Sequence, residues 1–485
     1  MASLEVSTSS AKCILFSVER GVVAEVTSRY ASHVADGPSQ DPDGLLECAL
    51  EVLRRVVHRA QALGLRIEAV GLTGTWHSLL ALDRERRPLG RVSTWADLSG
   101  APWVAPLRAD ERLVRRAYHS TGCMVHAMYP AWKWYSLRQR QPELMDSAKY
   151  VSSQVEFVFE ALTGCARVSR SIASGTGMLN IATLDWDDNV LGVVGIRREQ
   201  LSQLEEAFYT AGLRASFAER LGLPSGVPVT VGCSDGAMNQ LAIGALHTGV
   251  MSMSVGTSGA LRVVHPEPRI PDVPSTWCYY LLNGRRLSGA AVNNGTNCVD
   301  WFLQRYLAQN LNPAVYDSFS DGAASVHRSG APLFLPFVFG ERCPGWNEDR
   351  AGGFVGIKAS HGGSDLYYSI LEGVLFSMRQ CYDILVDVGG RPDRIVVSGG
   401  IVNSDLWMQM AADVFGRELH VTGAINDSTV GGALVALEAV GGCNAGVIDG
   451  HTAKIAGSVQ PRDSAVELFK ERYARYLQLY QLLDA

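Results

Sequence analysis

None of the ten cysteines is spaced as a CxxC pair, no Gly-Lys-Ser/Thr occurs, and there is no basic excess. Each absence excludes a class. Without paired cysteines a structural zinc site and a disulfide framework are not expected. The lysines stand at 12, 133, 149, 358, 454 and 470 and none follows a Gly, which rules out a P-loop. The one GxG, Gly175-Thr176-Gly177, continues as Met178-Leu179-Asn180 without a third Gly, so NAD and FAD lose their fingerprint. Lys plus Arg total 43 against 49 Asp plus Glu, a net charge of −6 that gives nucleic acid no purchase. The Arg84-Glu85-Arg86-Arg87 run reads as a solvated loop. The charge-poor stretch from Val229 to Val264 is broken by Asp235, Asn239, Gln240, His247, Arg262 and six glycines, so it reads as buried strands and turns rather than as a membrane span. Met1-Ala2-Ser3-Leu4-Glu5 lacks the basic-then-apolar opening of a secretory signal, which predicts a cytoplasmic protein.

What is present is an α/β pattern. Cys13 to Phe16, Ile67 to Leu72, Val229 to Cys233, Met251 to Val255 and Arg394 to Val397 read as strands. Gly44 to Leu63, Ser364 to Val388 and Leu406 to Phe415 carry a 3.6-residue apolar period. With 485 residues there is room for two or three domains, and two are expected to meet near residue 240, as 1–240 and 241–485. An internal echo supports two halves: Leu4-Glu5-Val6-Ser7-Thr8-Ser9-Ser10 resembles Ser254-Val255-Gly256-Thr257-Ser258-Gly259. Each reads as a β-hairpin whose small hydroxyl-bearing turn offers N–H and O–H groups to phosphate; two ordinary hairpins would look the same.

Asp235 stands out on chemistry alone. It follows the acid-free strand Val227 to Cys233 and precedes Gly236 and a helix-like stretch, so it is placed to accept a proton from a substrate hydroxyl, with Gly236 leaving room for an approaching molecule. An Asp at that position also serves as a helix N-cap, and the sequence leaves both readings open. Farther on, Ser398-Gly399-Gly400-Ile401-Val402-Asn403 follows a strand with bare backbone against which an adenine ring fits.

Together these pieces resemble the FGGY family of carbohydrate kinases over nearly the whole chain. The strongest match is Gly352-Gly353-Phe354-Val355-Gly356-Ile357, a spacer of seven residues, then Asp365-Leu366-Tyr367-Tyr368-Ser369-Ile370-Leu371-Glu372. Met128-Tyr129-Pro130-Ala131-Trp132-Lys133-Trp134 matches the other signature more loosely, with Ser136 where a Trp is usual. Gly340-Glu341-Arg342-Cys343-Pro344 also fits. The resemblance implies two actin-like, ribonuclease-H-like ATPase domains with an interdomain cleft for ATP and a sugar. It implies Asp235 as the base and Glu5 as the metal position, for Mg²⁺. Thr8, Ser9, Gly256, Thr257 and Ser258 would hold phosphates, with Gly399, Gly400 and Asn403 beside adenine. Trp76, His77, Trp95, Asp97 and Met128 would form the sugar site. For His77 the pattern alone favours a satisfied core histidine, and the resemblance turns the reading to a sugar contact. Within Thr73 to Leu79 and Thr94 to Asp97, the His77-Ser78-Leu79 and Trp95-Ala96-Asp97 wording, with Ser171 to Gly177 and Thr183 to Trp186, looks more like gluconate kinases than xylulose kinases. Gluconate is therefore the expected substrate, with xylulose or another ketopentose as the alternative, and a homodimer is left open.

The chain departs from the family pattern at several positions. Glu5-Val6-Ser7-Thr8 replaces an Asp-x-Gly-Thr hairpin, so Ser7 is expected to be strained if its position needs positive φ, at about 1 to 2 kcal/mol. Ser99 replaces an Arg near the sugar, and Asn426-Asp427-Ser428 is unusual. These keep open a different class, a sugar- or nucleotide-binding sensor without efficient transfer.

Overall fold

The computed structural model of the chain describes residues 1–423, 427–441, 446–452 and 454–483. In the N-terminal half, β1 (Ala2–Val6), β2 (Ser10–Ser17) and β3 (Gly21–Arg29) form an antiparallel meander. Beyond α1 (Pro42–Ala62), β4 (Val70–Gly74) lies parallel to β1, and β5 (Pro228–Thr230) and β6 (Cys233–Ser234) lie parallel to β4. After α2 (Asp235–Ala242) the scheme repeats. The strands β7 (Val250–Val255), β8 (Gly259–His265) and β9 (Arg286–Val292) are antiparallel neighbours. Following α3 (Gly363–Gly389), β10 (Arg394–Ser398) runs parallel to β7; following α4 (Asp405–Phe415), β11 (Leu419–Thr422) runs parallel to β10. Two sheets with one strand order, three antiparallel strands and two parallel ones beyond the first, make the duplicated ribonuclease-H-like architecture of actin-like proteins.

Local chemistry explains the elements. Asp41 caps α1 by accepting from Gly44 N at 2.7 Å, Pro42 occupies its first turn, and Leu45, Ala49, Val52, Leu53, Val56 and Ala60 recur at helical spacing on its buried face. That face covers β1 to β3, and α5 (Ser428–Ala439) packs on β1, β2, β4 and α2. The approach of α5 is so close that a Cβ on Gly71 would lie 2.3 Å from the Gly432 carbonyl. One continuous core runs through both halves.

The differences from expectation have local causes. The strand expected over 67–72 runs over Val70–Gly74. The strand expected over 229–233 is split into β5 and β6, because Gly232 at φ +89° leaves the extended region and a Cβ there would meet Val155 at 2.4 Å. Residue 240 lies within α2, and β7 begins at Val250. Arg84, Glu85 and Arg87 are exposed as expected, but Arg86 is half-buried: it pairs with Glu160, one bond being 2.9 Å, and its guanidinium lies 4.3 Å from the Tyr150 ring centre. Ser7 is not among the residues of positive φ; its hydroxyl donates to Ser10 O at 2.8 Å and completes the β1–β2 turn, so the expected strain is absent. The nine described cysteines are free, Cys443 and Asn426 lie outside the described residues, and among those described no helix is long and apolar enough to cross a membrane.

Candidate active site

Strand register brings the acidic groups together. Glu5 of β1 stands opposite Thr73 of β4, and Thr73 opposite Cys233 of β6, so Asp235 emerges just past the end of that row. Ser234 settles the N-cap question, since its hydroxyl accepts from Ala237 N at 3.1 Å and caps α2. Among the described residues no other side chain hydrogen-bonds the Asp235 carboxylate. Gly236 N donates to its Oδ1 at 2.6 Å. Burial raises the Asp235 pKa, opposed by the Gly236 N–H and the Arg262 charge. Glu5 is raised to about 7, first by burial and then by Asp235, with Ser428 opposing. The two carboxyls therefore face one poorly solvated space. Gly236 does not leave room for a ligand as expected, because a Cβ there would sit 2.7 Å from the Trp76 ring.

The predicted sugar residues fall into two turns beside this space. His77 at φ +67° directs Nδ1 to Gly175 O at 2.6 Å. A carbonyl only accepts, so Nδ1 carries the proton and Nε2 keeps its lone pair. Burial lowers the His77 pKa to about 3, which holds the ring neutral. Trp76 is 7% exposed and donates Nε1 to Ser171 O at 2.8 Å. In the second turn Asp97 accepts from Ser93 Oγ at 2.6 Å and Ser99 N at 2.9 Å, which helps hold its pKa below the ordinary value against burial. Arg140 donates to Ser99 Oγ at 3.2 Å, so a cation still stands behind the position where Arg was expected. Met128 is 2% exposed and belongs to the core.

Trp95 joins the predicted sugar turns to the predicted phosphate turn. Its Nε1 donates to Thr8 Oγ1 at 3.0 Å, leaving the Thr8 O–H free to donate, and the Arg342 guanidinium lies 5.1 Å from its ring centre. Ser9, Thr257 and Ser258 are exposed at the two hairpin tips. Gly256 has no steric need to be Gly, since a Cβ would meet nothing within 4 Å; its carbonyl accepts from Thr296 N at 2.7 Å. Gly399, at φ +90°, would put a Cβ 2.4 Å from Val255 O, so this turn must be Gly to lie on the hairpin. Beyond it Gly400, Asn403, Thr296, Tyr316 and Trp407 line a cavity of about 1300 Å³.

Sequence reasoning missed the parts that hold these turns. Buried Lys133 donates from Nζ to His77 O at 3.0 Å and to Thr94 O, tying the two predicted sugar turns together; burial lowers its pKa to about 7. A lysine flanked by Trp132 and Trp134 was the available signal. Gln40 donates to Ser7 O and Thr8 O at 2.8 and 2.9 Å, and Gln154 to Ser7 O at 3.2 Å and to Gln40 Oε1 at 2.7 Å, clamping the first hairpin from behind. Asp427 caps α5 and pairs with Lys12, which also meets Glu25 at 3.2 Å.

Residues 1–242 match the N-terminal domain of the FGGY family of carbohydrate kinases, and residues 251–440 its C-terminal domain. A gluconokinase of Bacillus subtilis is 29% identical over 91% of this chain and 88% of its own length. A xylulose kinase of Lactococcus lactis is 26% identical over 99% and 94%. The crystal structure of a gluconate kinase from Lactobacillus acidophilus superposes with a TM-score of 0.93 at 25% identity, covering 100% of this chain and 99% of that one. With both domains matched in order and a whole-length structural counterpart, the chain belongs to the FGGY family of carbohydrate kinases and is a phosphotransferase acting on an alcohol group.

Proposed function

We propose that the chain transfers the terminal phosphoryl group of ATP to gluconate, with Asp235 as the base. The observation that carries this is the capping of α2 by Ser234, which leaves the Asp235 carboxylate in the space shared with Glu5. A substrate hydroxyl there gives its proton to Asp235 as its oxygen attacks the γ-phosphorus; the bond from that phosphorus to the bridging oxygen breaks and ADP departs. Thr8, Ser9, Thr257 and Ser258 would donate to the phosphates, and Gly399, Gly400 and Asn403 would border adenine. His77 Nε2 would accept from a sugar hydroxyl, Asp97 would accept from another, and Trp76 and Trp95 would pack on the carbon chain. On this reading residues 1–240 supply the base, the sugar site and the Thr8–Ser9 phosphate contacts, and 241–485 the rest of the nucleotide site.

Magnesium, arriving with the nucleotide, would neutralise charge on the phosphate oxygens. Among the described residues no three His, Cys, Asp or Glu side chains form a metal cage. That suits Mg²⁺, which takes one or two carboxylates besides phosphates and water; Glu5, held against Asp235, would be the protein's contribution. The gluconokinase relatives support gluconate, and the xylulose kinase relatives keep a ketopentose as the second reading. Free thiols suit a cytoplasmic protein, and a homodimer is proposed on the resemblance alone. ADP release measured with MgATP and a panel of aldonates, polyols and ketoses tests the substrate: gluconate is expected to give the highest kcat/KM, and a higher value for xylulose would replace it.

A further inference from the structure

Beside Gly236 and Asp235 stands a guanidinium to which the proposed transfer gives no role. Along β8 the side chains alternate: a Cβ on Gly259 would meet Met378 of α3 at 2.9 Å, on the face shared by Leu261 and Val263, whereas Arg262 leaves from the opposite face. There it runs beside Gly236, whose Cβ position is 3.6 Å from Nε, and its charge is felt by Asp235 and Tyr279. Its Nε is buried without a hydrogen-bond partner. Among the described residues no carboxylate lies within ion-pair distance of Arg262, and none within that distance of Arg342, which repels it electrostatically. Among the described residues Asp235 is the one carboxylate whose charge Arg262 feels, so two guanidinia share a desolvated space with a single acid, and a ligand's negative charge would complete the balance. Arg262 also lies four residues past Ser258, roughly 13 Å along the strand from the phosphate turn, so it stands on the Asp235 side of the site.

We propose that Arg262 receives the carboxylate of the sugar acid and thereby separates aldonates from neutral polyols and ketoses, an assignment that rests on the gluconate reading above. Arg342 is the weaker choice, because its Gly340-to-Pro344 segment resembles the family at large, kinases of neutral sugars included.

The test is calorimetric binding, on the whole chain, of gluconate and of gluconamide, which keeps every hydroxyl and loses only the charge. The unsubstituted protein should bind gluconate about 30-fold or more tightly than the amide, and Arg262→Gln should bring the ratio to within about threefold. Unchanged MgADP affinity reports that the variant is folded. Equal binding of acid and amide by the unsubstituted protein overturns the proposal without any substitution, and so does a ratio that survives in folded Arg262→Gln. If gluconate is turned over and the ratio survives, only Arg262 loses its role. If the unsubstituted chain turns over xylulose and not gluconate, the substrate reading falls, and this assignment with it.

Discussion

Glu5 and Asp235 are two carboxyls held in one desolvated space, and that arrangement has opposite consequences for stability and for chemistry. Glu5 is raised from 4.5 to about 7, so between those values the folded chain keeps a proton that the unfolded chain has released. Stability attributable to this group therefore falls as pH climbs through that window, and the loss is complete above it. Glu5→Gln removes the effect, so it should be more stable than the unsubstituted protein at pH 8, by about 2 kcal/mol after allowance for partial exposure, with a correspondingly higher thermal midpoint, and should match it below pH 4.5. Thermal melts at both pH values check this. With Asp235 as the proposed base, activity would need it ionised, and burial raises its pKa. The acid limb of kcat/KM should consequently lie above the ordinary carboxylate range, with activity lost as pH falls; a limb in the ordinary range would mean that the base is well solvated.

At the level of elements, the site depends on struts between turns. Lys133 ties the His77 and Thr94 carbonyls, so Lys133→Met should raise the KM for the sugar about tenfold or more while the KM for ATP stays put, which initial-rate kinetics would separate. Gly399→Ala should do the reverse, weakening ATP binding and destabilising the second half by about 2 kcal/mol or more, because φ +90° and contact with Val255 O leave no room for a methyl. The strands and helices were readable from periodicity because β7, β10, α1, α3 and α4 bury regular apolar faces. The struts were not readable, because a hydrogen bond from Lys133 to carbonyls on two distant turns leaves no trace in local spacing. Ser234 shows the same limit: Asp235 and Ser234 are both good caps, and only the geometry of the β6–α2 junction decides between them.

Across the whole molecule, the two halves meet through pairs that no single segment announces. Tyr129 and Tyr279 share a hydroxyl contact of 2.8 Å, and Glu348 meets His126 at 2.7 Å and Arg108 at 2.8 Å. The duplicated architecture was legible because the two hydroxyl-rich turns echo each other. The most specific motif, by contrast, builds scaffold rather than chemistry: Phe354 packs 4.6 Å from Phe334, and Glu372 forms a buried pair with Arg472 at 2.5 Å. Family membership was thus easier to read than the site. The central claim is that Asp235 takes the proton from the sugar hydroxyl, and the direct measurement is kcat for ADP formation with Asp235→Asn under saturating MgATP and sugar, alongside sugar affinity. The account predicts that kcat falls about 10³-fold or more while the sugar still binds within about tenfold; an Asp235→Asn enzyme that turns over within tenfold of the unsubstituted one would contradict it.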